Sequence, residues 1–363
     1  MAELRIAVDA RPLCHPGTGI YRYTTELLTR MCRLGGDWYF YSPRSYDTAG
    51  FELPNVHHRF ARLPASLRSS QLAHGLFPRW ARRDRVAVFW GPRHQLPLPE
   101  SAGLRQLVTI HDLVWKEYGE TMRFPGRQIE DFFTPRALAR AEVVVAVSQF
   151  TRSRLEHYFP QYAHKLQVVP GASMLRNETT AQRGAAGDYF LFVGTLEPRK
   201  NLPRLLRAYR RFTEAVPAAR PLKIAGGSGW GQQDIGRLVT DLGLANRVQL
   251  LGKVDDATLA ELYRGAYALL MPSLYEGFGL PVVEALSMGV PAIVSRNSAL
   301  SEVAGSAGVL VDPESEPEIL QALVAISTDQ DLYQQLSKRT TTEAQRYDWN
   351  LSATTMTRLL MPC

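Results

Sequence analysis

The sequence predicts an α/β protein made of two doubly wound domains. Short runs rich in β-branched and aromatic residues recur from one end to the other, and a helical pattern separates each run from the next. Continuous apolar strands alternating with helices mark parallel sheets covered on both faces. Eleven such strands are too many for one comfortable sheet. The stretch 171–187 is polar, bears Gly and Ala, and has no periodicity, which makes it the expected linker. A chain of 363 residues agrees with two domains.

In the first half, strands are expected at 5–8, 38–41, 86–90, 107–110, 143–147 and 166–169, with helical stretches such as 21–32 and 149–158 between them. The second half carries strands at 189–193, 222–225, 248–251, 268–271 and 292–294, each followed by a helical pattern. The expected domains are residues 1–180 and 187–340, with a final helical segment at 341–363. Ligands of such sheets bind outside the carboxyl ends of the strands.

Composition excludes several classes. Hydrophobic residues make up 45% and charged residues 21%, so wholesale disorder and collagen-like architectures are ruled out. Cys14, Cys32 and Cys363 are too few and scattered for a disulfide framework or a zinc cluster, and they fit a reducing cytoplasm. The chain enters a strand pattern at Leu4, so no signal peptide is expected. No apolar run approaches the roughly 18 residues of a membrane span. The net charge of +7 is uneven: residues 1–185 hold 25 Lys/Arg against 16 Asp/Glu. Much of the excess lies in 59–85, where Arg59, Arg62, Arg79, Arg82, Arg83 and Arg85 alternate with Phe60, Phe77 and Trp80. That mixture fits an anionic bilayer, with arginines on lipid phosphates and rings in the interface. A solvated basic face and a nucleic-acid surface are the alternatives.

Four strings carry chemistry. The densest is Glu276-Gly277-Phe278-Gly279-Leu280-Pro281 leading to Glu284, placed between a strand and a helix whose first turn takes Pro281. Its glycines let the backbone approach a ligand, and the helix N-terminus offers partial positive charge to a phosphate or polar sugar. Glu276 and Glu284 can each accept a pair of hydroxyls, as a sugar or ribose diol requires. Taken singly, Glu276 reads equally as a helix cap and Glu284 as a surface residue.

In the second string, Gly194 to Asn201, Arg199 and Lys200 sit at a loop-to-helix junction and can clamp a diphosphate, the guanidinium by its fork and the ammonium as a point charge. They would take over the charge-neutralising role that a metal plays elsewhere. In the third, a strand delivers His111 to its carboxyl end as a hydrogen-bond donor or acid/base, with Asp112 to orient it. In the fourth, Gly17 and Gly19 close the first strand-to-helix turn. The dinucleotide pattern Gly-x-Gly-x-x-Gly fails there because Arg22 stands at the third glycine, which counts against an oxidoreductase.

Together these strings resemble the retaining nucleotide-sugar glycosyltransferases of fold type B with a Glu-x7-Glu signature, here Glu276 to Glu284. The likeness takes in Gly17–Gly19, His111-Asp112, Ser148 at a helix start, Arg199-Lys200-Asn201, Leu251-Gly252-Lys253-Val254 and Tyr347-Asp348-Trp349. Among them the chain is most similar to bacterial O-antigen mannosyltransferases. The resemblance implies two Rossmann-like domains facing across a cleft, with the C-terminal helix crossing back to the first domain and Trp349 anchoring it. It implies that Glu276 holds the transferred sugar and Glu284 the ribose, that amides around Gly277, Phe278, Gly279 and Leu280 orient sugar and diphosphate, and that Arg199 and Lys200 stabilise the leaving group. His111 would contact the sugar, and the backbone near Lys253 and Val254 would read the base.

The implied reaction moves α-mannose from GDP-mannose to a lipid-linked glycan, with retention and without metal or other cofactor, at the inner face of the cytoplasmic membrane and without nucleic acid. Another donor (UDP- or dTDP-sugar, or GDP-fucose), a phosphorylase of similar fold, and a non-catalytic sugar-binding protein are the competing readings.

Overall fold

The computed structural model describes residues 4–61, 72–97, 103–175, 187–229 and 234–361. It divides into two compact units. The first comprises Met1–Leu113, Pro125–Gly171 and Asp348–Cys363; the second comprises Val114–Phe124 and Ala172–Tyr347. The division departs from the expected ranges in three places, the first being that the second unit begins at Ala172 rather than after residue 180. Residues 341–347 stay with the second unit, and the excursion Val114–Phe124 joins it from the middle of the first.

The first unit holds β1 (Arg5–Asp9), β2 (Asp37–Ser42), β3 (Val56–Phe60), β4 (Val88–Gly91), β5 (Arg105–Ile110), β6 (Val143–Ala146) and β7 (Leu166–Val168). They form one parallel sheet in the order β3-β2-β1-β4-β5-β6-β7. Its central strands are apolar on both faces, with Ile6, Val8, Phe40, Phe89, Leu107 and Val144 wholly buried. The second unit holds β8 (Tyr189–Val193), β9 (Leu222–Ala225), β10 (Val248–Gly252), β11 (Ala266–Met271), β12 (Ala292–Ser295) and β13 (Gly308–Val311). Here the parallel order is β10-β9-β8-β11-β12-β13. In both sheets the order reverses beside the first strand, the switch point at which open α/β sheets bind ligands.

Two strands escaped the sequence reading. β3 and β13 are edge strands, and β3, with the sequence Val-His-His-Arg-Phe, is half-exposed along most of its length. Single-sided edge strands lack the continuous apolar run that marks an interior one. The expected linker falls largely on 176–186, outside the described residues, as does Cys363.

Helix Trp349–Leu360 closes the first unit. Asp348 caps it through the amides of Asn350 and Leu351, and Ala353, Met356 and Leu360 are fully buried. It lies on helix Gly19–Met31, where Trp349 meets Tyr23 edge-on at 5.8 Å and Ser352 donates to the Pro170 carbonyl. Among the described residues no helix is long and apolar enough to cross a membrane.

Of the rings in the basic stretch 59–85, Phe77 is buried while Phe60 and Trp80 are half-buried. In helix Leu72–Asp84, Phe77 is buried and packs with Trp80 against Tyr41, while Arg79, Arg82, Arg83 and Arg85 are exposed. Arg59 is bound to the buried Asp84 through two hydrogen bonds. Helical spacing turns the aromatics toward the sheet and leaves the arginines outside, so the expected insertion of Phe77 into a lipid interface does not hold. Arg62 lies outside the described residues.

Candidate active site

The carboxyl ends of β10, β9, β8 and β11 lie side by side, and four loops leave from them. Lys253 and Val254 follow β10, Gly226 and Gly227 follow β9, Gly194 to Lys200 follow β8, and Pro272 to Gly279 follow β11. Close approach between these loops depends on glycine. A Cβ on Gly226 would fall 1.9 Å from the Gly194 carbonyl oxygen, and Gly194 itself sits at φ 152, which side chains rarely adopt. Asn201, in the left-handed region at φ 60, starts helix Leu202–Ala215 and ties three loops together by donating to the Pro272 and Pro313 carbonyls.

Glu276 is the hub. Its Oε1 accepts from Lys200 Nζ at 2.5 Å and its Oε2 from Arg199 Nη1 at 2.7 Å. The same guanidinium nitrogen donates to the Tyr275 carbonyl at 3.1 Å, and Arg199 Nη2 pairs with Glu197 Oε1 at 2.6 Å. Glu197, Lys200 and Glu276 are each 7% exposed. Two carboxylates and two cations thus form a buried, formally neutral cluster. Burial opposes the charge on Glu276, but the Arg199 and Lys200 charges outweigh it and hold the carboxyl down to about 2. Burial and the adjacent Arg199 pull Lys200 below its ordinary value, against Glu276.

This arrangement settles two of the plain alternatives. Glu276 does not cap the following helix Leu280–Ser287, whose N-cap is Gly279 with no side-chain cap. Gly279 sits at φ 114, in the left-handed region, and a Cβ there would meet Leu300 Cδ2 at 2.5 Å. Glu284 is not a surface residue: it is 2% exposed and its Oε2 accepts from the Tyr263 hydroxyl at 3.0 Å. Gly277 and Phe278 are buried, Phe278 edge-on to Tyr347, and Leu280 is half-buried. Lys253 is exposed and Val254 half-buried.

Two participants were missed in the sequence. Glu197 stood in plain view beside Arg199, and its i, i+2 acidic–basic spacing was the available signal. Tyr263 lies on helix Asp256–Gly265, and nothing in its local sequence distinguishes it from a core tyrosine.

The first unit carries the remaining predicted residues. Gly17, at φ 87, and Gly19, the first residue of helix Gly19–Met31, lie in an exposed turn after β1, with Thr18 capping the helix through Tyr21 N–H. His111 and Asp112 follow β5 and are half-buried. His111 Nε2 lies 2.7 Å from the Pro92 carbonyl, which can only accept, so Nε2 carries the proton. Burial and the neighbouring His94 push the ring down to about 3. His111 is therefore a neutral imidazole whose Nδ1, without a partner among the described residues, presents a lone pair. The Pro92 carbonyl fixes the ring through Nε2.

Among the described residues no group of three or more His, Cys, Asp or Glu side chains forms a metal-binding arrangement.

Comparison with known proteins now decides the family. Residues 17–172 match the family model described as glycosyltransferase family 4, and residues 179–343 match that of glycosyl transferases group 1. The chain belongs to the glycosyltransferases. This glycosyltransferase is 28% identical to the O-antigen chain mannosyltransferase B of Escherichia coli, over 98% of each chain. It superposes with a TM-score of 0.76 on a sucrose-phosphate synthase from Thermosynechococcus elongatus, at 20% identity and 98% coverage of both chains. Anabaena HepE, solved in complex with UDP and glucose, matches at a TM-score of 0.74 and 17% identity, over 99% of this chain and all of that one. The fold of the glycosyltransferase is type B.

Proposed function

We propose that this glycosyltransferase moves an α-mannosyl unit from GDP-mannose to a lipid-linked O-antigen glycan, with retention and without a metal ion. The observation that carries the reading is the neutral Glu197–Arg199–Lys200–Glu276 cluster at the carboxyl ends of β8 and β11. Without donor, Glu276 occupies both cations. A diphosphate competes for Arg199 and Lys200 and frees the Glu276 carboxylate for sugar hydroxyls. Its low pKa keeps that carboxylate charged through the physiological range.

As the glycosidic C–O bond to the diphosphate breaks, negative charge grows on the leaving oxygen and positive charge on the anomeric carbon. Arg199, Lys200 and the N-terminus of helix Leu280–Ser287 act on the former. Glu276 serves the sugar. The acceptor hydroxyl attacks from the face the diphosphate leaves, and the leaving phosphate takes its proton. Paired-carboxylate glycosidases use one carboxylate as a nucleophile instead; here Glu276 is assigned to the sugar hydroxyls. Glu284, which accepts from Tyr263 on one oxygen, would take the ribose diol, and Lys253 and Val254 would read the base. The mannosyl donor and O-antigen acceptor are supported by the named activity of the Escherichia coli relative.

A thermal-shift panel of GDP-, UDP-, ADP- and dTDP-sugars tests the reading, because a ligand stabilises the fold according to its affinity. GDP-mannose is expected to give the largest rise, and transfer from it is expected to survive EDTA. A larger shift with another sugar nucleotide replaces the donor, and strict dependence on Mg²⁺ or Mn²⁺ removes the metal-free mechanism.

A further inference from the structure

The loop after β4 grips His111 from two sides. Its Pro92 carbonyl takes the ring proton, and His94 Nε2 accepts the His111 backbone N–H at 2.8 Å. The loop is folded tightly to do so. His94 is a non-glycine residue at φ 27, Gln95 N–H closes onto the Arg93 carbonyl, and a Cβ on Gly91 would fall 2.3 Å from the Gln95 carbonyl oxygen. Backbone held in so sparse a region marks a place that the surroundings over-determine.

His94 has a second partner. A backbone N–H can only donate, so His94 Nε2 bears a lone pair, and the proton of the neutral ring sits on Nδ1. That atom faces Glu130 Oε2 at 3.2 Å, from helix Gly126–Arg140, and the same oxygen accepts from Thr134 at 2.6 Å. The chain Glu130–His94 ends on the His111 amide and leaves His111 Nδ1 outside it. None of it enters the mechanism above.

We propose that His94, oriented by Glu130, is a positioning residue for His111, and that its protonation sets the acid limit of turnover. A second proton on His94 has one place to go, Nε2, where it would meet the His111 N–H head-on. The amide then loses its acceptor, and the end of β5 that carries His111 is displaced. The charged and titratable groups facing His94 are Glu130 from its helix, Asp112 and His111 beyond β5, and Arg93 on its own loop. Burial disfavours the imidazolium, but Glu130 and Asp112 together outweigh burial and Arg93 and raise the ring above its ordinary value. Glu130 itself is held down to about 2 and stays ionised. His111, at about 3, cannot supply an acid limb near neutrality. The inference rests on the transferase reading in that His111 must meet substrate.

The experiment is a pH profile of kcat from 5 to 9 for the wild type, His94→Gln and Glu130→Gln, with folding checked by circular dichroism. Wild-type turnover is expected to fall about tenfold per pH unit below the His94 pKa. His94→Gln keeps an amide oxygen for the His111 N–H but does not titrate. It should hold within about fivefold of wild type at pH 8 and lose the acid limb. Glu130→Gln removes the carboxylate that favours the imidazolium and should move the limb down by roughly a unit. An acid limb unchanged in His94→Gln, or a Glu130→Gln profile superposable on wild type, overturns the proposal. Should His94→Gln be inactive at every pH, the Glu130→Gln shift decides. Imidazole nitrogen NMR of the unliganded protein reads the pair without turnover, with His94 protonating in the neutral range while His111 keeps its single proton on Nε2. That spectrum with no transfer from any donor would sink the transferase reading, whereas its absence would sink the pair.

Discussion

Arg199 and Lys200 are the residues on which the proposed chemistry turns. Arg199 divides its guanidinium between Glu197, Glu276 and the Tyr275 carbonyl, while Lys200 is buried against Glu276. Removing either cation leaves a buried carboxylate short of a partner, which is costlier than losing an exposed pair. Arg199→Ala and Lys200→Ala should each lower kcat on the order of 10²-fold or more, since each would act on charge that develops only as the diphosphate leaves. Single-turnover kinetics with the preferred donor would check this, and near-native rates in both variants would remove the role.

At the scale of elements, the donor loop depends on the start of helix Leu280–Ser287. Gly279 turns the chain at a backbone angle that side chains rarely adopt and stands at the N-cap of that helix. Gly279→Ala meets two penalties at once, a left-handed backbone and a collision with Leu300 Cδ2. We expect a loss of about 1–3 kcal/mol in urea unfolding, together with weaker donor binding in the thermal-shift panel. Unchanged stability would mean that Leu300 and the turn relax freely.

For the whole molecule, the open question is what the basic surface does. Burial of Phe77 takes one ring from the surface and leaves the arginines exposed, so the electrostatic part of any attraction to a bilayer falls with salt. We expect binding to anionic vesicles to drop sharply when Arg79, Arg82, Arg83 and Arg85 become serine, and also when ionic strength is raised. Sedimentation that the quadruple substitution leaves intact would place the docking surface elsewhere.

The sequence by itself determined the alternation of strand and helix, the two-domain division and the chemical strings, because buried parallel strands are continuous apolar runs and glycine-rich turns carry their own signature. It could not show β3 or β13, whose exposed sides break that pattern, nor that 114–124 leaves one unit for the other. Pairing was decided only by tertiary structure. That Glu276 holds Arg199 and Lys200, that Tyr263 reaches Glu284, and that Pro92 and His94 grip His111 are contacts between residues 17 to 77 positions apart. Such contacts arise where adjacent parallel strands end together, and strand order, unlike strand identity, is not written in any local stretch of chain.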